Sequence, residues 1–133
     1  MKTLHTVNAL IELGAGLALL SFPSPVVALL LGSPLEIPTG LSVARVCGAG
    51  LLSLGVACWL ARGDSESRAA RGLVAAMMLY DVGAVAILAF AGFGFGLHGV
   101  ALWPAVVLHA VMTVWCVACL RQRPLNVTME RNS

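Results

Sequence analysis

The sequence predicts an all-α fold, a four-helix transmembrane bundle with a short interfacial helix after the first crossing. Four apolar stretches, at about 4–21, 41–61, 69–91 and 100–120, each approach the roughly 20 residues that a helix needs to cross a bilayer. Charged residues make up only 11% of the chain, whereas soluble domains contain about 25%. These stretches use up the 133 residues, so we expect one integral membrane domain over 1–133.

The composition also limits the partners of the chain. The net charge is +2, and the basic residues do not cluster on a soluble face, so nucleic-acid binding has no support. The lipid bilayer is the expected partner. No zinc or phosphate-loop signature is present in the sequence, and we predict neither a metal nor a cofactor.

The first apolar stretch resembles a signal peptide, because Lys2 precedes an apolar run. Glu12 interrupts that run, and no convincing small-residue cleavage site follows at 21–25. We therefore interpret it as a retained helix. The prolines of Phe22-Pro23-Ser24-Pro25 should end it, because proline removes a backbone donor. The following run, 26–31, is too short to span and predicts a short helix near the outer interface.

The distribution of basic residues predicts the orientation. Lys and Arg occur before the first stretch, around the second connection and after the fourth stretch, at Lys2, Arg62, Arg68, Arg71, Arg121, Arg123 and Arg131. The first connection, 32–40, contains no Lys or Arg, and the third, 92–99, is an uncharged glycine–aromatic segment that predicts a turn. The positive-inside rule then places both termini in the cytoplasm of a bacterial inner membrane.

Small residues predict how the helices pack. Membrane helices approach closely where small residues recur every four positions. The second stretch has two such patterns, Ala44-xxx-Gly48 and Ala49-xxx-Ser53-xxx-Ala57, which favour a place at the centre of the bundle or at a dimer seam. Gly14 and Gly16 are candidates for the same function in the first helix. The alternative is that Ala and Gly are simply common in membrane helices.

Several polar residues interrupt the apolar stretches. A charge at the centre of a membrane helix costs about 2.5–3.5 kcal/mol on insertion scales, so such residues should face the interior with a partner or be protonated. Asp81 and His109 both lie roughly 15 Å deep at about 1.5 Å of rise per residue. Arg45 is nearer the outer face and could reach either Asp81 or the headgroups. The candidates for an intramembrane polar, ligand or proton site are Asn8, Glu12, Arg45, Asp81, His109 and Thr113.

Two interpretations of this polar set remain open. The residues could pair across helices and fix their register, at about 0.6 kcal/mol per hydrogen bond. Alternatively, Glu12, Asp81 and His109 form a proton-titrating or ligand-binding site, because intramembrane carboxylates and histidines mark such sites and histidine titrates near neutral pH.

Three cysteines lie near the predicted cytoplasmic ends of their helices and form a possible thiol site: Cys58, Cys116 and Cys119. Cys116 and Cys119 form a C-x-x-C motif, as in membrane thiol oxidoreductases. The predicted topology places the motif on the reducing side, where a stable disulfide does not persist. A soft-metal site and simple burial as small apolar residues are the alternatives.

The segment from Ala44 to Gly55, ARVCGAGLLSLG, resembles a helix of small bacterial four-helix membrane proteins that include the DoxX-like group. The preceding proline-containing break is similar to that group as well. The resemblance covers about a third of the chain and implies a four-helix bundle in a bacterial inner membrane, without a settled activity. Glu12 is also similar to the membrane glutamate of small multidrug-resistance transporters. Arg45, Asp81 and His109 depart from that pattern.

The sequence thus predicts a non-enzymatic accessory or oligomeric membrane module, as a homo-oligomer or within a larger membrane complex. One alternative is a proton-coupled small-molecule transporter that uses Glu12. Another is a membrane thiol oxidoreductase that uses the C-x-x-C motif.

Overall fold

A computed structural model describes residues 1–64 and 67–122. It contains α1 (Lys2–Ser21), α2 (Pro23–Leu31), α3 (Pro38–Ala61), α4 (Arg68–Phe95) and α5 (Leu102–Arg121), and no strand occurs in these two ranges. Residues 65–66 of the second connection lie outside the described residues, as do Arg123 and Arg131.

The predicted all-α class is confirmed. Four helices, α1, α3, α4 and α5, are long and apolar enough to cross a membrane. They correspond to the four apolar stretches, although α3 begins three residues earlier than predicted and α4 extends further at its C-terminal end. Four candidate membrane-spanning helices indicate a multi-pass membrane protein.

The predicted helix break and the short helix are also present. Helix α1 ends at Ser21, and α2 starts at once with Pro23, because proline is well accommodated in the first turn of a helix. Helix α2 has nine residues and ends at Gly32, whose φ of 79° lies in the left-handed region that glycine adopts readily. Pro38 starts α3 in the same way.

The third connection differs from the prediction. Residues 92–95 continue α4 as helix, and the chain leaves the helix only at Gly96, with φ at 65°. Glycine disfavours helix by about 1 kcal/mol, but packing overrides this preference. A Cβ at Gly92 would lie 3.1 Å from side-chain atoms of both Leu102 and Trp103, so α5 fills the space that glycine leaves. The predicted turn is therefore shorter, and it begins at Gly96.

The four long helices pack as two antiparallel pairs, α1 with α3 and α4 with α5, and the two pairs touch one another much less. In the first pair a Cβ at Gly16 would lie 2.7 Å from the Gly48 carbonyl oxygen, and a Cβ at Gly48 would lie 2.9 Å from the Gly16 carbonyl oxygen. Gly48 of the Ala44-xxx-Gly48 pattern thus permits the predicted close approach, but its partner is α1, and α3 contacts α4 and α2 much less than a helix at the centre of the bundle would. Ala49 and Ser53, of the second pattern, are exposed in the single chain.

Hydrogen bonds at each end of α5 tie it to a neighbouring helix. The Arg71 guanidinium donates to the carbonyl oxygens of Leu120 and Gln122 at 2.8 and 3.3 Å, which satisfies backbone groups at the C-terminus of α5. At the other end the backbone amide of Ala101 donates to the Leu29 carbonyl oxygen at 2.9 Å and ties α2 to the start of α5.

The two ends of the bundle differ in packing. The basic end contains the start of α1, the end of α3, the start of α4 and the end of α5, and there all four helices share one buried core. That core contains Leu4, Ala9, Cys58, Val74, Met77, Met112, Cys116 and Cys119. At the opposite end, here termed the α2 end, the two pairs separate and leave a cavity.

Candidate functional site

The cavity at the α2 end has a volume of about 430 Å³, within the range of roughly 300–1,000 Å³ that is typical of small-molecule sites. All five helices contribute to its wall. The wall is almost entirely hydrocarbon and includes Leu19, Val26, Leu30, Leu51, Leu88 and Leu108. Ile87 and Leu108 remain 70% and 40% exposed, so the cavity opens at the surface of the bundle.

Polar side chains line the cavity mainly on the side nearest the basic-end core. Glu12 from α1, Tyr80 from α4 and His109 from α5 line it there, and Cys47 lines it from α3. A mostly apolar cavity with a few convergent polar groups is the usual form of a ligand site. We refer to Glu12, Tyr80, Asp81 and His109 as the polar floor.

Asp81 and His109 are paired across α4 and α5. The distance between Nδ1 of His109 and Oδ1 of Asp81 is 2.8 Å. Asp81 is 1% exposed, and it lies behind the histidine rather than on the cavity wall. A carboxylate in this position fixes the orientation of the imidazole and determines which ring nitrogen carries the proton. Nε2 is therefore the nitrogen left for a group in the cavity.

Tyr80 completes the environment of this histidine. Its ring meets the His109 imidazole edge to face, with the centroids 5.6 Å apart and the planes at 82°. Such a contact contributes about 0.5–1.5 kcal/mol beyond buried area. The imidazole is thus held by a hydrogen bond on one side and by an aromatic ring on another, which gives the polar floor a fixed geometry.

Glu12 is the acidic group of the floor that has no protein partner. It is 2% exposed and lines the cavity, and it forms no hydrogen bond with any other residue in the described ranges. It lines the same cavity as His109, the hydrogen-bond partner of Asp81. Because a buried carboxyl group needs a proton, a cation or a donor, Glu12 is the natural point of attachment for a ligand.

The structure brings together only part of the predicted polar set. Arg45 does not reach Asp81: it is exposed, and its Nε donates to the Leu20 carbonyl oxygen at 3.4 Å near the α2 end. The Thr113 hydroxyl donates back to the His109 carbonyl oxygen at 2.9 Å, a local bond that keeps it out of the cavity. Asn8 is buried one turn from Glu12, on the basic-end side.

The possible thiol site lies in the basic-end core. Cys58 and Cys116 are 0% exposed and Cys119 is 5% exposed, and all three are free thiols. Within the described ranges, no group of three His, Cys, Asp or Glu side chains is placed to hold a metal ion. Nothing in this arrangement favours the soft-metal alternative, and the thiol chemistry stays a prediction.

Three residues outside the predicted site set are placed near it. Tyr80 is adjacent to Asp81 in sequence, but a tyrosine next to an aspartate on a helix does not by itself predict which one faces a cavity. Cys47 lines the cavity although it is exposed. His5 is fully buried and lies on the same stripe of α1 as Asn8 and Glu12. That spacing of three and four residues is the signal that identifies it.

No protein-family model, curated protein or solved structure matches the chain. The resemblance to the DoxX-like group therefore stays a prediction.

Proposed function

We propose that this chain is a non-enzymatic bacterial inner-membrane module that binds a small lipophilic cation in the α2-end cavity and exchanges it for a proton on Glu12. The observation that carries the proposal is that Glu12, which has no hydrogen-bond partner among the described residues, shares the wall of an apolar cavity with His109 of the Asp81–His109 pair.

The charges of the polar floor indicate that the ligand is a cation. The floor contains two acids and one base, and the one base, His109, is already hydrogen-bonded to Asp81, which leaves Glu12 without a basic partner in the floor. An uncompensated charge is costly in a medium of low dielectric constant, so Glu12 must hold either a proton or a cationic ligand. Binding of the cation then releases the proton, and binding of the proton releases the cation.

The walls define the rest of the ligand. With Leu19, Leu30 and Leu88 around the cavity, the body of the molecule must be apolar, because polar groups placed there would lose their hydrogen bonds to water. The open side between Ile87 and Leu108 is where lipid hydrocarbon would lie, so a lipophilic cation can enter laterally. The positive-inside rule places the basic end in the cytoplasm and the cavity in the outer half of the membrane.

A pair of probes with one shape and different charge tests this function. Benzyltrimethylammonium and neopentylbenzene are isosteric, but only the first carries a positive charge. In proteoliposomes with an acidic lumen, we expect the wild-type protein to accumulate benzyltrimethylammonium as protons leave. Neopentylbenzene should show no response to the pH gradient.

Glu12→Gln should abolish accumulation, because the amide carries no titratable proton. Glu36→Gln is the matched control, since Glu36 is exposed in the loop before α3 and does not line the cavity. Accumulation at the wild-type rate in Glu12→Gln would remove Glu12 from the mechanism.

A second candidate function is an accessory or oligomeric module. The exposed Ala49 and Ser53 favour it, because small residues on a lipid-facing surface permit contact with another helix. This function predicts co-purification with further copies or with a larger membrane complex in mild detergent. A single chain that purifies alone and without ligand would contradict it.

A further inference from the structure

A second polar feature lies on the basic-end side of the cavity. His5, Asn8 and Glu12 follow one stripe of α1 at intervals of three and four residues, and they are 0%, 2% and 2% exposed. The intervals correspond to about 4.5 and 6 Å along the helix axis. The stripe therefore extends from near the start of α1 to the floor of the cavity.

Several polar atoms of this stripe lack partners. Both ring nitrogens of His5 and the amide nitrogen of Asn8 are enclosed without a hydrogen bond to any described residue, and so is Oδ2 of Asp81. A buried polar atom without a partner costs about 1–3 kcal/mol. Apolar side chains of similar size would avoid this cost, so packing alone does not account for a histidine and an asparagine here.

The side chains around the stripe do not supply the missing hydrogen bonds. The titratable groups in the same core are Cys58 from α3 and Cys116 and Cys119 from α5, and thiols are only weak donors and acceptors. From α4, Asp81 lies next to Glu12 in the polar floor. At the solvent end of the stripe Met1, which carries the α-amino group, packs against this core.

We propose that His5 and Asn8 bind a short chain of water molecules that carries protons between the basic end and Glu12. Buried water molecules form about three hydrogen bonds with such otherwise unpaired polar groups. The Nε2 and Nδ1 atoms of His5 can accept a proton on one side and release it on the other. Asn8 donates through its amide nitrogen to a water molecule and holds it in place, and the proton passes along the water to the Glu12 carboxyl.

The water chain gives Glu12 a separate route for the proton that it exchanges. The proton and the cation then reach the carboxyl group from opposite sides. Only this role of the water chain, the supply of protons for cation exchange, rests on the proposed function. The water chain itself is tested without any ligand.

The experiment follows hydrogen–deuterium exchange of the Glu12 carboxyl by infrared spectroscopy after vesicles are transferred to deuterated buffer. The Glu12 carbonyl band is identified as the one that Glu12→Gln removes. Asn8→Leu and His5→Leu replace polar side chains by apolar ones of similar size. We expect each to slow the exchange about tenfold or more, which corresponds to about 1.4 kcal/mol added to the barrier.

Two control variants separate water binding from packing. Asn8→Ser retains a hydroxyl and leaves room for water, and should exchange at the wild-type rate. Val7→Leu changes a partly buried apolar neighbour on the same helix and should also leave the rate unchanged. Wild-type rates in both leucine variants of the stripe would overturn the water chain. Loss of cation exchange in Glu12→Gln, together with those wild-type rates, would leave the proposed function intact and remove only this inference.

Discussion

The two halves of the bundle show how one set of helices combines a stable core with a site. At the basic end all four long helices meet around Val74, Met77 and Met112, each no more than 4% exposed. At the α2 end the α1–α3 and α4–α5 pairs diverge around about 430 Å³ of apolar space. The polar floor lies at the boundary. The first half therefore fixes the position of Glu12 and His109, while the second half provides room for a ligand.

The largest effect is expected where the α1–α3 pair is closest. Gly48→Val would place side-chain atoms against the Gly16 carbonyl oxygen and the Leu20 amide, neither of which can move without shifting a helix. We expect a loss of about 3 kcal/mol or more, at the upper end of overpacking costs. Unfolding in a denaturing detergent measures it.

Gly50→Val is the matched control on the same helix, because nothing lies within 4 Å of a Cβ there. It should leave the bundle intact. Equal stability of the two variants would contradict the close contact between α1 and α3.

A smaller effect is expected at the pair that joins α4 and α5. Asp81→Ala removes the 2.8 Å hydrogen bond to His109 and should cost about 0.6–1.7 kcal/mol, from the average to the largest value for hydrogen bonds between membrane helices. A double-mutant cycle with His109→Ala isolates the interaction. Additive losses in the cycle would show that the two side chains are not coupled.

The α2 end should tolerate changes that abolish binding. Ala105→Phe fills the cavity, whereas Ala110→Phe places the same ring on an exposed face of α5. We expect both variants to stay within about 0.5 kcal/mol of wild type, because neither position lies in the basic-end core. Only Ala105→Phe should lose benzyltrimethylammonium binding, which equilibrium dialysis measures. Full binding by that variant would place the ligand elsewhere.

The smallest effect is expected at Arg45. Its guanidinium is exposed and contacts only a backbone carbonyl at 3.4 Å, so Arg45→Gln should change stability by less than about 0.5 kcal/mol and leave cation binding unchanged. Thermal unfolding and dialysis provide both values. A marked loss of binding would mean that Arg45 belongs to the polar floor.

Much of the fold could be predicted because a helix that crosses a bilayer must be both long and apolar. Length and apolar character identify four long helices, and the prolines after Ser21 end the first of them. The glycines at 92 and 94 were misleading, since their local preference for a turn is overridden by packing against Trp103 and Phe90. Such packing depends on residues far along the chain or a full turn away, and no single segment reveals it.

The site could be predicted only in part. Counting residues along each helix correctly predicts that Asp81 and His109 lie at the same depth, because the rise per residue of a helix is constant. Depth does not determine the direction of a side chain, so the sequence was also compatible with an Arg45 that faces inward. The cavity could not be predicted either, because it arises where the two helix pairs diverge. The enclosure of His5 is likewise a product of the whole bundle.

The central claim is that Glu12 exchanges a proton for a cation, and the number of protons released on binding tests it most directly. Calorimetric titration with benzyltrimethylammonium, in two buffers that differ in their heat of ionisation, measures this number. The account predicts release of about one proton per cation bound by the wild-type protein and none in Glu12→Gln. Cation binding without proton release, or undiminished release in Glu12→Gln, would contradict it.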